Sequence, residues 1–227
     1  MKNLKKFTLL LCLLSLSVSG FAQLHFGVKG GLNYSTVSAS EYKPSEGPNP
    51  EFVITDLDYK SSYHIGMLVQ YRMQDFAIES GAYYSVQGGK GVKKVGAAKY
   101  EVRADPAYLQ IPVLLLYKFN VSDKFKLYPT IGTFVAYGLS GKINKEYTAN
   151  GNNIHPPVSE DYFNGNVRKI DWGTSAGLNL EYNKFVLGVA YEYGFLRVNS
   201  TKVEGNAQTK GKNAHNKNFK ASVAYVF

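Results

Sequence analysis

The chain has 227 residues, 44% hydrophobic and 19% charged, with a formal net charge of +9, 18 tyrosines, 13 phenylalanines and one cysteine. Such a length suits one domain, and an aromatic-rich, methionine-poor composition describes β-structure. The basic residues are scattered or sit in loops, which excludes a nucleic-acid surface of the usual basic, aromatic-interleaved kind, and a single thiol excludes a disulfide framework or a thiolate metal centre.

The chain opens with Lys2, Lys5 and Lys6, then an apolar run from Phe7 to about Val18, then Gly20-Phe21-Ala22. This is the order of a cleaved export leader. Residues 1–22 are expected to be removed, leaving Gln23 first in a single domain of residues 23–227. Cys12 and three lysines leave with the leader, which lowers the net charge from +9 to +6. The apolar run is too short for a spanning helix, which needs roughly 20 residues, and no other stretch comes closer. If the chain crosses a membrane, it does so as strands.

Period-two alternation then predicts eight strands. The first, Leu24–Ser35, sets Leu24, Phe26, Val28, Leu32 and Tyr34 against His25, Gly27, Lys29, Gly31 and Asn33. The second, Ser62–Met73, opposes Tyr63, Ile65, Met67, Val69 and Tyr71 to His64, Gly66, Gln70 and Arg72. The third, Phe76–Gln87, carries Phe76, Ile78, Ala82, Tyr84 and Val86 against Glu79, Gly81, Ser85 and Gln87. The fourth, Ala107–Phe119, has Leu109, Ile111, Val113, Leu115, Tyr117 and Phe119 in its apolar row, and the fifth, Lys124–Leu139, is noisier. The sixth places Ile170, Trp172, Ala176, Leu178 and Leu180 opposite Asp171, Gly173, Ser175, Gly177, Asn179 and Glu181. In the seventh, Phe185 to Phe195 alternate with Gly188, Ala190, Glu192 and Gly194; the eighth, Asn216–Phe227, alternates Phe219, Ala221, Val223, Tyr225 and Phe227 with Asn218, Lys220 and Ser222. Each can cross a bilayer, which takes roughly 9–11 tilted residues.

Tight turns at Gln74-Asp75, Asn120–Asp123 and Asn183-Lys184 alternate with long polar connections at roughly 37–61, 88–106, 140–167 and 198–215. That is the pattern of an all-β, eight-stranded antiparallel up-and-down transmembrane barrel with short periplasmic turns and four longer external loops. A soluble lipocalin-like barrel also alternates but hides its apolar row inside. Here the other row is rich in Gly, Ala and Ser, which weaken a water-exposed strand but fit a narrow interior. The apolar row is therefore expected to face lipid, with Tyr63, Tyr71, Tyr84, Tyr117 and Tyr193 near the two interfaces. Pro112 and Pro129 fall inside strands and predict local bulges there.

Gly27-Val28-Lys29-Gly30-Gly31-Leu32-Asn33 shortly after Phe-Ala-Gln, Tyr108-Leu109-Gln110-Ile111-Pro112 before an apolar run, and the terminal aromatic strand resemble the PorT-like outer-membrane β-barrel domain family. The resemblance spans the mature chain and implies a Gram-negative outer-membrane location, with a role in a protein secretion assembly for some members. It also implies a signal for the barrel-assembly machinery at Lys220, Tyr225 and Phe227, with Ser222 where glycine is usual.

Three groups of residues could carry chemistry. Lys29, Arg72, Glu79, Lys118, Glu181, Glu192 and Lys220 all fall on the lumen row, where buried charges must be paired. A salt-bridged plug is the plainer expectation and a proton or ion path the alternative. Lys90, Lys93, Lys94 and Lys99 cluster in one external loop, and Lys202, Lys210, Lys212 and Lys217 near the last; either set could meet lipopolysaccharide phosphates or be merely solvated. Gly173-Thr174-Ser175-Ala176-Gly177 matches a hydrolase pattern, with Glu192 and His215 following in the right chain order, but it lies mid-strand, without the strand-to-helix turn that exposes the serine. Ser159, His155 and Asp161 form the one tight Ser, His and acid grouping. The histidines at 25, 64, 155 and 215 show no metal-ligand spacing.

The expected function is non-catalytic: a barrel presenting external loops for binding or anchoring, its lumen filled by side chains, with no cofactor and no metal. Its partners would be outer-membrane lipid and lipopolysaccharide, the barrel-assembly machinery during biogenesis, and a surface ligand or protein. An outer-membrane enzyme acting on lipid or peptide at the loop rim is the alternative from another class; a solute channel is disfavoured by a strand count that leaves room only for side chains.

Overall fold

The computed structural model describes residues 23–38, 57–150, 152–153, 156–163, 168–196 and 215–227. The leader, His155, and the lysines at 202, 210 and 212 lie outside them. The described residues form β1 (Leu24–Ser38), β2 (Asp58–Met73), β3 (Phe76–Val86), β4 (Gly89–Val95), β5 (Ala98–Tyr117), β6 (Phe119–Asn120), β7 (Phe125–Ala149), β8 (Asn152–Asn153), β9 (Val158–Asp161), β10 (Ile170–Tyr182), β11 (Phe185–Gly194) and β12 (His215–Val226).

Eight of these strands close a ring through antiparallel ladders: β1 to β2, β3, β5, β7, β10, β11, β12 and back to β1. Partners followed around the ring run Phe26, Val69, Ser80, Val113, Thr133, Thr174, Tyr193, Lys217 and return to β1 at Thr36, ten residues further on. A stagger of that size over eight strands tilts them by about 40° and leaves an interior just wide enough for side chains. Two of the short turns are set by residues with positive φ, Gln74 at 50° and Asn183 at 55°, the left-handed geometry that two-residue hairpin turns require.

The core is inside out relative to a soluble barrel. Leu32, Ile65, Met67 and Ile131 are 61–72% exposed on the outer wall, whereas Asn33, His64, Gln70, Glu79, Ser85 and Gln110 are buried within. A continuous apolar belt of this extent marks a membrane-facing surface. Aromatic rings border it. At the end with the short turns, Phe76 packs on Tyr117, Tyr117 on Phe119, Phe125 on Tyr182, and Phe185 on Tyr225 at 4.7–5.1 Å. At the other end, Tyr34 stacks on Tyr59, Tyr191 packs on Phe219 and Trp172 on Phe195 at 4.7–4.9 Å.

Two expectations change. Neither proline produces a bulge: the β3–β5 ladder lapses beside Pro112 between Ser80↔Val113 and Tyr83↔Gln110 without a change of register, and the β5–β7 ladder ends at Leu116↔Thr130, just before Pro129. Each missing donor thus falls in a gap on one side of its strand while the ladder on the other side continues. The register shift in β5–β7 lies instead between Ala107 and Tyr108, so Leu139 is the extra residue on β7. The second change concerns the connections at 88–106 and 140–167, which are not simple loops. β4 pairs with the first part of β5, residues 98–107 pair with 140–149, and β8 and β9 add to the top of β7. A small sheet thus rises beyond the apolar belt.

Candidate functional site

The lumen is filled from the short-turn end upward. Glu181, next to the β10–β11 turn, accepts Lys118 Nζ at 2.9 Å, with Arg72 at 3.6 Å and Lys126 at 3.8 Å. Arg72 also donates to Gln70, whose amide donates to Glu79 at 2.8 Å, and Glu79 pairs with Lys29. Further up, Lys220 lies 3.1 Å from Glu192, which also accepts from Gln110 at 2.9 Å and Asn218 at 3.3 Å. Each of the seven lumen charges read from the sequence thus has an ion-pair partner among the other six.

Aromatic faces fill the remaining space. Tyr83 has Lys29 and Lys220 each 5.8 Å from its ring centroid, and Lys118 lies 4.8 Å from the centre of Tyr128. Glycine makes room for the first ring: a Cβ at Gly66 or Gly81 would sit 2.7 or 2.9 Å from Tyr83. His64 is buried and bonds Asn33 Oδ1 at 2.8 Å.

An apolar stopper closes the external mouth. After β9, Tyr162 and Phe163 turn inward and pack with Val37, Ala104, Tyr108, Phe134 and Ala136. Phe163 meets Tyr108 edge to face at 5.8 Å, and its ring occupies the space a side chain at position 138 would need; Gly138 is the seat. The backbone of Phe163 is fixed by an N–H donated to Asp161 at 3.0 Å. Sequence reading did not reach this pair, because its contacts lie far away along the chain.

The external sheet has an apolar inner face and a charged outer one. Tyr100 and Val102 are buried inside against Leu57, Ile143 and Tyr147. On the outer face Glu101 is 3% exposed and accepts from Arg103 Nε at 2.5 Å, Lys99 at 2.6 Å and Lys90 at 3.1 Å. Burial opposes ionisation of this carboxyl, but hydrogen bonds from Lys99, Arg103 and Lys90 outweigh it and hold the group at about 2. The four lysines grouped by sequence therefore separate: Lys90 and Lys99 meet Glu101, Lys94 lies on their face at the hairpin tip, and Lys93 lies on the opposite face. Glu101 and Arg103 were missed, although their alternation with Tyr100, Val102 and Ala104 is a legible strand signal; the glycines at 88, 89 and 91 favoured a loop reading.

The catalytic groupings do not assemble. Ser175 is buried on the lumen side of β10, whereas His215 bonds the Gly194 carbonyl at 3.0 Å and stacks on Tyr193, a residue of the outward row. Ser159 and Asp161 lie on β9, and their proposed partner His155 falls outside the described residues. Of the terminal signal residues, Lys220 points into the lumen, while Phe227 is exposed and donates its backbone N–H to Phe26.

A closed ring of tilted strands, apolar outside and charged within, defines a small β-barrel of the outer-membrane type. The chain belongs to the outer membrane protein beta-barrel domain family, whose model matches residues 21–199. No curated protein matches it in sequence. Solved structures similar to it include Ail, the attachment invasion locus protein of Yersinia pestis, at 12% identity and a TM-score of 0.37, covering 89% of this chain and 98% of that one. OprG from Pseudomonas aeruginosa is similar at 14% identity and a TM-score of 0.42, covering 89% and 95%. The outer membrane protease OmpT from Escherichia coli is similar at 12% identity and a TM-score of 0.43, covering 90% and 96%.

Proposed function

We propose that this chain is a non-catalytic, non-conducting outer-membrane barrel that works through the sheet it raises outside the membrane. The observation that carries this reading is the filling of the lumen: paired charges from Glu181 up to Glu192, then Tyr162 and Phe163 across the mouth. An interior occupied in this way leaves no continuous aqueous path, so the surface available for work is external. Refolded protein in a planar bilayer is expected to give no ohmic single-channel steps. Steps of uniform size that persist after Phe163→Ala and disappear with a blocking mutation at Glu192 would establish a pore and overturn the reading.

Three finer points belong to the same proposal. Residues 1–22 serve as the export leader, which N-terminal sequencing of the membrane form would test by beginning at Gln23. Lys220 and Tyr225 on the last strand and Phe227 just after it serve barrel assembly, and replacement of the two aromatics by alanine is expected to lower the inserted fraction in cells. The PorT-like motifs favour a non-enzymatic part in a larger surface assembly, and the Gly173–Gly177 pattern lends hydrolysis no support, since Ser175 is buried on the lumen side and His215 stacks on Tyr193 of the outward row.

A further inference from the structure

The apolar belt is not uniform around the barrel. Across the ladders joining β1, β12, β11 and β10, Leu32 is level with Ala221, Val189 and Leu178. The next outward row toward the external end holds Tyr34, Phe219, Tyr191 and Ala176. Elsewhere the belt is built from larger side chains such as Met67, Ile111, Leu115, Ile131 and Val135, each 47–72% exposed. Ala176 and Ala221 are exposed as well, but an alanine stops at Cβ, so the wall dips where its neighbours project.

Two adjoining concavities result, of about 510 and 720 Å³, and Leu32, Leu178, Val189 and Ala221 line both. One ends at Tyr34, Phe219 and Tyr191, and the other reaches Leu187 and Val223. Along β12 the groove thus runs from Phe219 to Val223, about 10 Å of the bilayer normal at about 3.3 Å per residue and a tilt of about 40°. That is somewhat under half of an apolar band of about 25 Å. Its upper end meets a ladder of rings at the external border: Tyr191 lies 4.7 Å from Phe219, Phe219 5.9 Å from Tyr59, and Tyr59 4.9 Å from Tyr34. The groove therefore belongs to the external leaflet.

Depth and width fix the occupant. A groove inside the hydrocarbon layer is closed to a water-soluble ligand. Leu32 and Leu178 stand three strands apart, about 14 Å between backbones, and their own side chains take part of that span. The remaining gap is too narrow for the wall of a second barrel and wide enough for one hydrocarbon chain. In a bilayer the hydrophobic effect does not favour one apolar surface over another, so preference comes from packing. A chain lying on a bulging wall touches it on one side; in the groove it is touched on three, and dispersion contacts add up. We infer that the groove formed by β10, β11, β12 and β1 holds one acyl chain of an external-leaflet lipid as a bound ligand, in preference to the rest of the lipid shell. The inference rests on the barrel reading above and gives its lipid-facing wall a specific site.

The test uses the full mature chain folded in detergent micelles, its fold checked first by the shift between boiled and unboiled samples on a gel. Dipalmitoyl phosphatidylcholine is titrated in, and bound lipid is counted by native mass spectrometry. The parent is expected to retain one lipid. A176L/A221L, whose new side chains fill the dips, is expected to bind at least tenfold more weakly, while A82L, on β3 opposite Met67, stays within twofold of the parent. If the double variant fails to fold, A221L carries the test with an expected loss of at least threefold. Dipalmitoyl phosphatidylglycerol should bind within twofold of the phosphatidylcholine, because the chain and not the head group is held. Unchanged binding in the folded variants, or a preference set by the head group, would overturn the site. Pairs of barrels that disappear in A221L would also overturn it, by seating a second copy on the groove. In those cases a heat-modifiable parent keeps the barrel reading intact; a parent that never becomes heat-modifiable overturns both.

Discussion

Replacing Glu181 with glutamine tests the paired lumen at one of its most buried charges. The side chain is 4% exposed and holds Lys118, itself 6% exposed, at 2.9 Å. The amide keeps the shape but removes the counter-charge, and breaking a buried pair costs about 3–5 kcal/mol because one ion is left without compensation. Arg72 and Lys126 also face Glu181 but are 21% and 34% exposed, so they can turn to water, and the lower end, about 3 kcal/mol, is expected. That is more than about 100-fold in the folding equilibrium. The double variant K118M/E181L removes the pair and should recover most of the loss, since apolar replacement of a buried pair is often neutral or better. Urea unfolding in lipid vesicles, followed by fluorescence of the single tryptophan, Trp172, reads both. If E181Q unfolds within about 1 kcal/mol of the parent, the charges are solvated, contrary to a packed lumen.

On the outer wall, Leu178→Arg should cost about 2–4 kcal/mol in the same assay, the expected penalty for a cation near the bilayer midplane; a change within about 0.5 kcal/mol, as at an ordinary water-exposed position, would contradict a lipid-facing row. Phe163→Ala removes the ring seated on Gly138 and should expose residues 156–163 to protease without opening a conducting path, because the charge network below remains. For Glu101, the folded value near 2 lies below the ordinary 4.5, so its contribution is present above about 4.5 and fades as pH falls through about 2. Amide exchange in β4 and β5, corrected for its intrinsic pH dependence, should accordingly accelerate progressively as pH falls across that interval, and E101Q should abolish the dependence.

The transmembrane part was legible because a barrel wall imposes a strict period of two, and residues such as Leu109 to Phe119 record it without interruption. The lumen charges followed from the same count, since parity alone puts Glu79 and Lys29 on one side. Their pairing was not legible: it depends on the stagger that brings β1 beside β2 and β3 at one height. Pro112 and Pro129 misled because a missing donor is costly only where the ladder needs it, and both fall beside gaps. The external sheet was hidden by Gly88, Gly89 and Gly91, which read as a turn, although Gly89 leaves room for Leu57 beneath the strand. The Tyr162-Phe163 stopper has no local signature at all, being defined by contacts with β1, β5 and β7.

The central claim, a lipid-facing barrel, is tested most directly by fractionating cells that express the chain and running the outer-membrane fraction on a gel with and without boiling. The account predicts a membrane-retained band that migrates faster unboiled than boiled, because the closed strand ring resists detergent until heated. A soluble product, or one whose migration heat does not change, would contradict it.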